Sequence, residues 1–346
     1  MNKKILIPLI LTGTLAMLSG CKSAPTTPSE KFTMRVGYFP NITHSQALIG
    51  VARGDFQKAL GSNVTLKTTV FNAGPSVIEA LFAGQIDLSY IGPNPAINGY
   101  IQSEGKAVRV VAGATSGGAA LVVRPAANIK SAADLAGKKL ATPQLGNTQD
   151  VALRGYLAEH GLKTKEQGGT VDVVPTDNPL ILDMFRLGTI DGAWVPEPWA
   201  SRLVVEGGGT VFIDERDLWT ETGGEFTTAV IIVDTKFLAA HPEAVQAWLQ
   251  AHVEITQWEL ENPGDAQELM NSQIEKLTGK KLAAEVLVMA WSRMKPTWDP
   301  ITASITKSAL SAFEAGFLKT KPNLDGISDL TILNKVLKAK GLSQVK

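Results

Sequence analysis

The chain has 346 residues, of which 44% are hydrophobic, and its 33 lysines and arginines balance 33 aspartates and glutamates. Such a composition excludes a mainly disordered chain, and zero formal charge leaves no electrostatic footprint for nucleic acid. A single cysteine excludes a disulfide scaffold or a multi-cysteine zinc site, and His44, His160, His241 and His252 lack metal-ligand spacing, so neither metal nor cofactor is expected.

Residues 1–20 read as an export signal. Lys3 and Lys4 precede an apolar stretch over 5–18, short of the ~20 residues that a membrane span needs. The stretch ends in Leu18-Ser19-Gly20-Cys21, which resembles a bacterial lipobox with Cys21 as the lipidated residue. Residues 21–31, rich in Pro, Ser and Thr, read as a flexible tether behind that lipid.

Beyond the tether, β-branched runs predict strands over 34–39, 64–70, 86–91, 108–113, 119–123, 138–142, 171–174, 190–195 and 228–233. Helical patterns lie between them. One buries Val77, Ile78, Leu81 and Phe82, another Val151, Tyr156 and Leu157, a third Ile181, Met184 and Phe185. Alternation of the two predicts an α/β fold with mostly parallel sheets. Residues 84–91 (GQIDLSYI) are echoed by 188–195 (GTIDGAWV), with Asp87 and Asp191 in matching places 104 residues apart. The echo suggests two similar lobes, each with its own sheet flanked by helices and a ligand cleft between them, since open sheets bind ligands beyond the carboxyl ends of their strands. From about residue 236 the pattern turns helical, with Val245, Trp248, Leu249, His252 and Ile255 on one stripe and further helices over 282–291 and 305–317.

Four loops at strand ends hold the candidate chemistry: 39–45, 72–76, 92–95 and 144–150. Their Gly, Asn, Ser and Thr residues cap helix starts, and they also leave N–H donors and hydroxyls at a positive dipole end, a natural anion site. Trp194-Val195-Pro196-Glu197-Pro198-Trp199 has two readings: an aromatic wall with a carboxylate handle, or core indoles with Glu197 paired to Arg202. Thr115-Ser116-Gly117-Gly118 suits a flexible crossing. His44 reads as a ligand contact or a solvated cap, and Asp87 and Asp191 as turn caps beside buried strands. No nucleophile–base–orienter set, GxSxG, GxGxxG or P-loop is found, so no catalytic residue is expected.

The lipobox, GYFPNITHSQALIGVARGDF (37–56), FNAGPSVIEALFAGQIDLSYIGPNPAI (71–97), SAADLAGKKLATPQLGNTQ (131–149) and DGAWVPEPWASRLV (191–204) together resemble the substrate-binding proteins of ABC importers, specifically the nitrate/sulfonate/taurine/bicarbonate group. The resemblance implies a two-lobe periplasmic binding protein with hinge crossings near 116–118 and 225–228. Lobe 1 then spans 32–115 and returns with the C-terminal helices over 229–346, and lobe 2 spans 116–228. By loop position it implies ligand contacts at Asn41, His44, Gly74, Ser76, Asn94, Ser116, Gln144, Asn147, Thr148, Trp194, Glu197 and Trp199. It implies a monomer outside the cytoplasm, tied by lipid to a membrane, that hands a small organic anion of the alkanesulfonate or taurine kind to a permease and its ATPase. Nitrate, bicarbonate, or a heteroaromatic cargo such as a thiamine precursor or riboflavin are the alternatives. A pyrimidine synthase of the same fold is the enzymatic rival, disfavoured because Cys21 is the only cysteine, and a sensor receptor is the third.

Overall fold

A computed structural model describes residues 31–346 together with Met1; the export signal, Cys21 and the tether up to Glu30 lie outside the described residues. The chain begins β1 (Phe32–Tyr38), α1 (Ser45–Arg53), α2 (Asp55–Leu60), β2 (Val64–Val70), α3 (Gly74–Phe82), β3 (Leu88–Ile91), α4 (Pro93–Gln102) and β4 (Val108–Gly117). It continues through β5 (Ala119–Val123), β6 (Lys139–Thr142), α5 (Thr148–Glu159), β7 (Asp172–Pro175), α6 (Asn178–Arg186), β8 (Gly192–Pro196), α7 (Trp199–Val205) and β9 (Thr210–Asp214). The last third holds β10 (Thr227–Asp234), α8 (Thr235–Ala240), α9 (Pro242–Glu261), α10 (Pro263–Thr278), α11 (Ala284–Ser292), β11 (Met294–Pro296), α12 (Thr302–Glu314) and α13 (Thr331–Ala339).

Two sheets result. One has the order β11-β4-β10-β3-β1-β2, the other β7-β6-β8-β5-β9. They are mixed: as expected, most strands of each sheet run one way, four of six in the first and four of five in the second, with the rest opposed. β1 is parallel to β2 and β3, and β6 to β7 and β8, but β10 and β5 run antiparallel to both of their neighbours. The cause is topological. β4 leaves the first sheet at its carboxyl end and β5 enters the second from that same side, so Ala119 pairs with Pro196 at the end of β8. β10 re-enters the first sheet likewise, with Thr227 opposite Ser116. An entering strand must oppose strands whose carboxyl ends face the crossing.

Between β4 and β5 the chain passes through Gly117 (φ 72°) and Gly118 (φ 82°), left-handed conformations that favour glycine. Phe226 O accepts from Gly117 N–H at 3.0 Å, so the outward and return crossings run side by side. Each sheet is covered on both faces. Trp248 on α9 stacks on Phe56 at 3.7 Å, and the α9 stripe packs against the first sheet; α3, α4 and α12 cover its other face. Phe82, expected inside with Leu81, is instead 45% exposed. No helix among the described residues is long and apolar enough to cross a membrane.

Candidate functional site

The carboxyl ends of the two sheets face each other across a crevice that has closed to a cavity of about 30 Å³, enough for roughly two waters. Phe39, Asn41, Thr43, His44, Asn72, Ala73, Gly74, Gly92, Pro95 and Thr228 line it from the side of the first sheet. Pro143, Asn147, Thr148, Gln149, Asn178 and Pro196 line it from the second. None of these side chains bears a formal charge. His44 is buried, its Nδ1 accepts from Phe39 N–H at 3.2 Å, and its ring stacks on Phe39 at 4.4 Å. Burial holds its pKa down to about 3, so the imidazole is neutral at any physiological pH.

Helix starts converge on this space. α3 begins at Gly74 after an extended Ala73, α4 after Gly92 and α6 after Asp177, all three without a side-chain cap. α5 begins at Thr148, where Asn147 Oδ1 accepts from Asp150 N–H at 2.8 Å. The first turn of a helix has N–H groups with no intrahelical partner and carries about half a positive charge. Pro75, Pro93, Pro95 and Pro179 have no N–H to offer, so α3, α4 and α6 bring fewer donors than α5, but four positive dipole ends in one small space still favour an anion without any cationic side chain.

The polar side chains agree. Thr148 Oγ1, Asn178 Oδ1 and Thr228 Oγ1 are buried in the lining with no hydrogen-bond partner. Gln144 Oε1, just outside it, is likewise unpartnered. A buried polar atom left so costs on the order of 1–3 kcal/mol, so a group of them marks where a ligand's complementary atoms belong. Behind Thr148, the Asp150 carboxylate fixes the loop by accepting from Thr142 Oγ1 (2.8 Å), Gly146 N–H (2.9 Å) and Arg154 Nε (3.2 Å).

Of the residues expected to touch ligand, Asn41, His44, Gly74, Asn147 and Thr148 line the cavity. Ser76 and Gln144 sit just outside, facing each other across the crevice at 3.5 Å. Asn94 is turned to α12, where its Nδ2 donates to Ser308 O at 3.1 Å. Ser116 lies in the crossing, between Thr227 and Lys295 in register. The aromatic-wall reading of 194–199 does not hold at this cavity, which neither indole lines. Trp194 is fully buried and donates its indole N–H to Glu215 Oε2 at 2.8 Å, because β8 is a central strand whose alternate side chains enter the helical layers on either face. Glu197 accepts from Ser201 N–H and Oγ (both 2.9 Å) and from Arg293 Nη1 (3.2 Å), so its partner is Arg293 rather than Arg202. Trp199 stands behind Asn41, donating to its Oδ1 at 3.0 Å.

Two further lining residues, Asn178 and Thr228, are not singled out by the sequence pattern. Asp177-Asn178-Pro179 carries the same small-polar helix-start signal as the loops chosen. Thr228 looked like the first residue of a strand and nothing more.

The chain matches the NMT1-like family over residues 27–272. It is 30% identical to the taurine-binding periplasmic protein of Escherichia coli (strain K12) over 215 residues, 62% of this chain and 63% of that one, so the match spans just under two thirds of that relative. The alkanesulfonate-binding protein from Xanthomonas axonopodis pv. citri, solved bound to MOPS, is 18% identical with a TM-score of 0.72, covering 87% of this chain and 99% of that one. The periplasmic nitrate-binding protein from Synechocystis PCC 6803 is 15% identical with a TM-score of 0.71, covering 90% and 89%. These likenesses establish the two-lobe periplasmic binding protein fold, and the relatives so named are binding proteins, not enzymes.

Proposed function

The chain belongs to the NMT1-like family, and from that membership we propose that it is the solute receptor of an ABC importer, capturing a small organic anion whose charged end is a sulfonate. It binds this cargo without transforming it, and passes it to a membrane permease and its ATPase. The observation that carries the reading is a space lined by four helix starts and no charged side chain, in which the Thr148 and Thr228 hydroxyls are buried without a partner and free to donate. A sulfonate stays ionised at all physiological pH and is satisfied by donors alone. A heteroaromatic cargo would have to seat its ring among these helix starts, and the inner space of about 30 Å³ is too small for one. In this reading residues 32–115 with 229–346 form one lobe and 116–228 the other. The protein works as a monomer, and Cys21 takes the lipid that holds it outside the cytoplasm.

Thermal unfolding with taurine, methanesulfonate, nitrate, bicarbonate, a thiamine precursor and riboflavin tests it. A ligand at 100 times its Kd adds about 2.7 kcal/mol of stability. A sulfonate is expected to give the largest shift. If riboflavin or the thiamine precursor shifts the transition and no sulfonate does, the anion reading is wrong.

A further inference from the structure

We infer that the binding site has a second, outer compartment that takes an organic ring attached to the sulfonate, so that ring-bearing sulfonates are preferred over short-chain ones. The inference rests on the anion reading above and concerns what lies beyond the anion. Against the inner cavity stands another pocket, of about 240 Å³. Asn41, Asn72 and Asn178 line both spaces, so they form the wall and the passage between them. The inner space is too small for more than a head group, and any tail must leave it on one side.

The outer pocket suits such a tail in size and chemistry. An enclosed apolar cavity of about 150 Å³ already accepts a benzene ring. The walls are mainly apolar, with Pro179, Trp199, Ile274 and Leu282 among them. At the point where the two spaces meet, the buried Asn178 Oδ1 has no partner and, being an acceptor, calls for a donor on the part of the ligand beyond its sulfonate. The rim is positive. Arg202 and Lys280 both line the pocket and share one carboxylate, Glu206, at 2.7 and 3.3 Å, and Arg186 pairs with that same group at 2.8 Å. Three cations against one carboxylate favour an anionic ligand and tolerate a further acidic substituent on its ring. Arg202 also lies 4.5 Å over the Trp199 ring, which fixes the indole as a flat wall.

Titration calorimetry with methanesulfonate and benzenesulfonate separates the two compartments. Wild type is expected to bind benzenesulfonate at least tenfold more tightly than methanesulfonate. Thr278 is exposed on the rim of the outer pocket, so Thr278→Trp fills that pocket from outside with little demand on the core. The affinity ratio should fall to within about twofold of one in Thr278→Trp and persist in Thr278→Ser. If methanesulfonate binds and the wild-type ratio is near one, or if the ratio survives in Thr278→Trp, the outer compartment is refuted and the anion site stands. If neither sulfonate binds, both the outer compartment and the anion reading fall.

Discussion

Asp87 and Asp191 do the same work in the two halves. Asp87 Oδ2 accepts from Arg35 N–H at 2.7 Å and Asp191 Oδ2 from Lys139 N–H at 2.8 Å, each 52 residues back along the chain. Each aspartate thus pins the neighbouring first strand, which is a stronger constraint than the turn cap that the echo in sequence suggested. Thr148 is a residue of the other kind, fitted for a ligand and not for the fold. Its hydroxyl is buried without a partner, so Thr148→Val should leave the ligand-free protein as stable as wild type or more so. A hydrogen bond to a charged group is worth about 1.5–3 kcal/mol, so the same change should weaken binding of a sulfonate roughly ten- to a hundredfold. Calorimetry checks the second effect and thermal unfolding the first; wild-type affinity in the variant would remove Thr148 from the site. Glu259 on α9 makes a third case. Both its carboxyl oxygens are buried and unpartnered, and the Ser45 hydroxyl beside them donates to Gln46 Oε1 at 3.3 Å. Burial raises its pKa well above the usual carboxylate range. A raised folded pKa means stability that is full below the unfolded value, about 4.3, and is lost as pH rises. Glu259→Gln removes that loss, so its stability relative to wild type should grow by up to about 1.4 kcal/mol per pH unit from pH 5 upward. Denaturant curves at pH 5, 6.5 and 8 measure this, and parallel pH dependences would contradict it.

Elements were legible where local chemistry decides them. The β-branched runs that form β1 to β8 and β10 announce themselves in sequence, as do the small polar residues that open α3 and α5. β11 did not. It is three residues, Met294–Pro296, held against 115–117 of β4 by the path of the chain and not by any propensity of its own. With β9 (Thr210–Asp214) equally unmarked in the sequence, one edge strand of each sheet stays hidden there. The direction of β5 and β10 was hidden for a related reason. Strand polarity depends on which side a crossing comes from, and no periodicity records that. The same limit explains the mixed record at the site. Loops followed by a helix start were found because capping is local, so Gly74, Asn147 and Thr148 fall in the cavity. Trp194 was misjudged because a strand end in sequence is not a mouth in space: its ring lies within the second lobe's core, 5.9 Å from that of Tyr156. Thr228 follows Thr227, which Ser116 faces at the strand entry, and its role appears only when the two sheets are set opposite each other.

At the scale of the whole molecule the question is how the crevice comes to be shut. Several contacts span it: Trp199 Nε1 to Asn41 Oδ1 at 3.0 Å, Arg293 Nη1 to Glu197 Oε1 at 3.2 Å, and Lys307 Nζ to Glu221 Oε1 at 2.7 Å. All are polar; the last pair is partly exposed and worth little in water, whereas the first two are largely buried in the shut form and regain water when the lobes part. Joined by two adjacent crossings with left-handed glycines in one, the lobes are built to hinge. One close approach across it is between Gly92 at the start of α4 and Thr148 at the start of α5. A Cβ on Gly92 would stand 2.2 Å from Thr148 Oγ1. Gly92 has φ −70°, which any residue adopts, so close approach alone requires glycine there. Gly92→Ala should therefore fold with an unchanged melting temperature, because the open form has room for the methyl group. It should resist closure instead. Affinity for methanesulfonate, or for whichever anion shifts wild type most, should fall at least tenfold. Small-angle scattering with that anion at saturation should show wild type contracting and Gly92→Ala remaining near its ligand-free radius of gyration. If the variant contracts as wild type does and binds as tightly, the apposition of Gly92 and Thr148 is not the ligand-holding arrangement, and the helix starts of the two lobes do not share one anion.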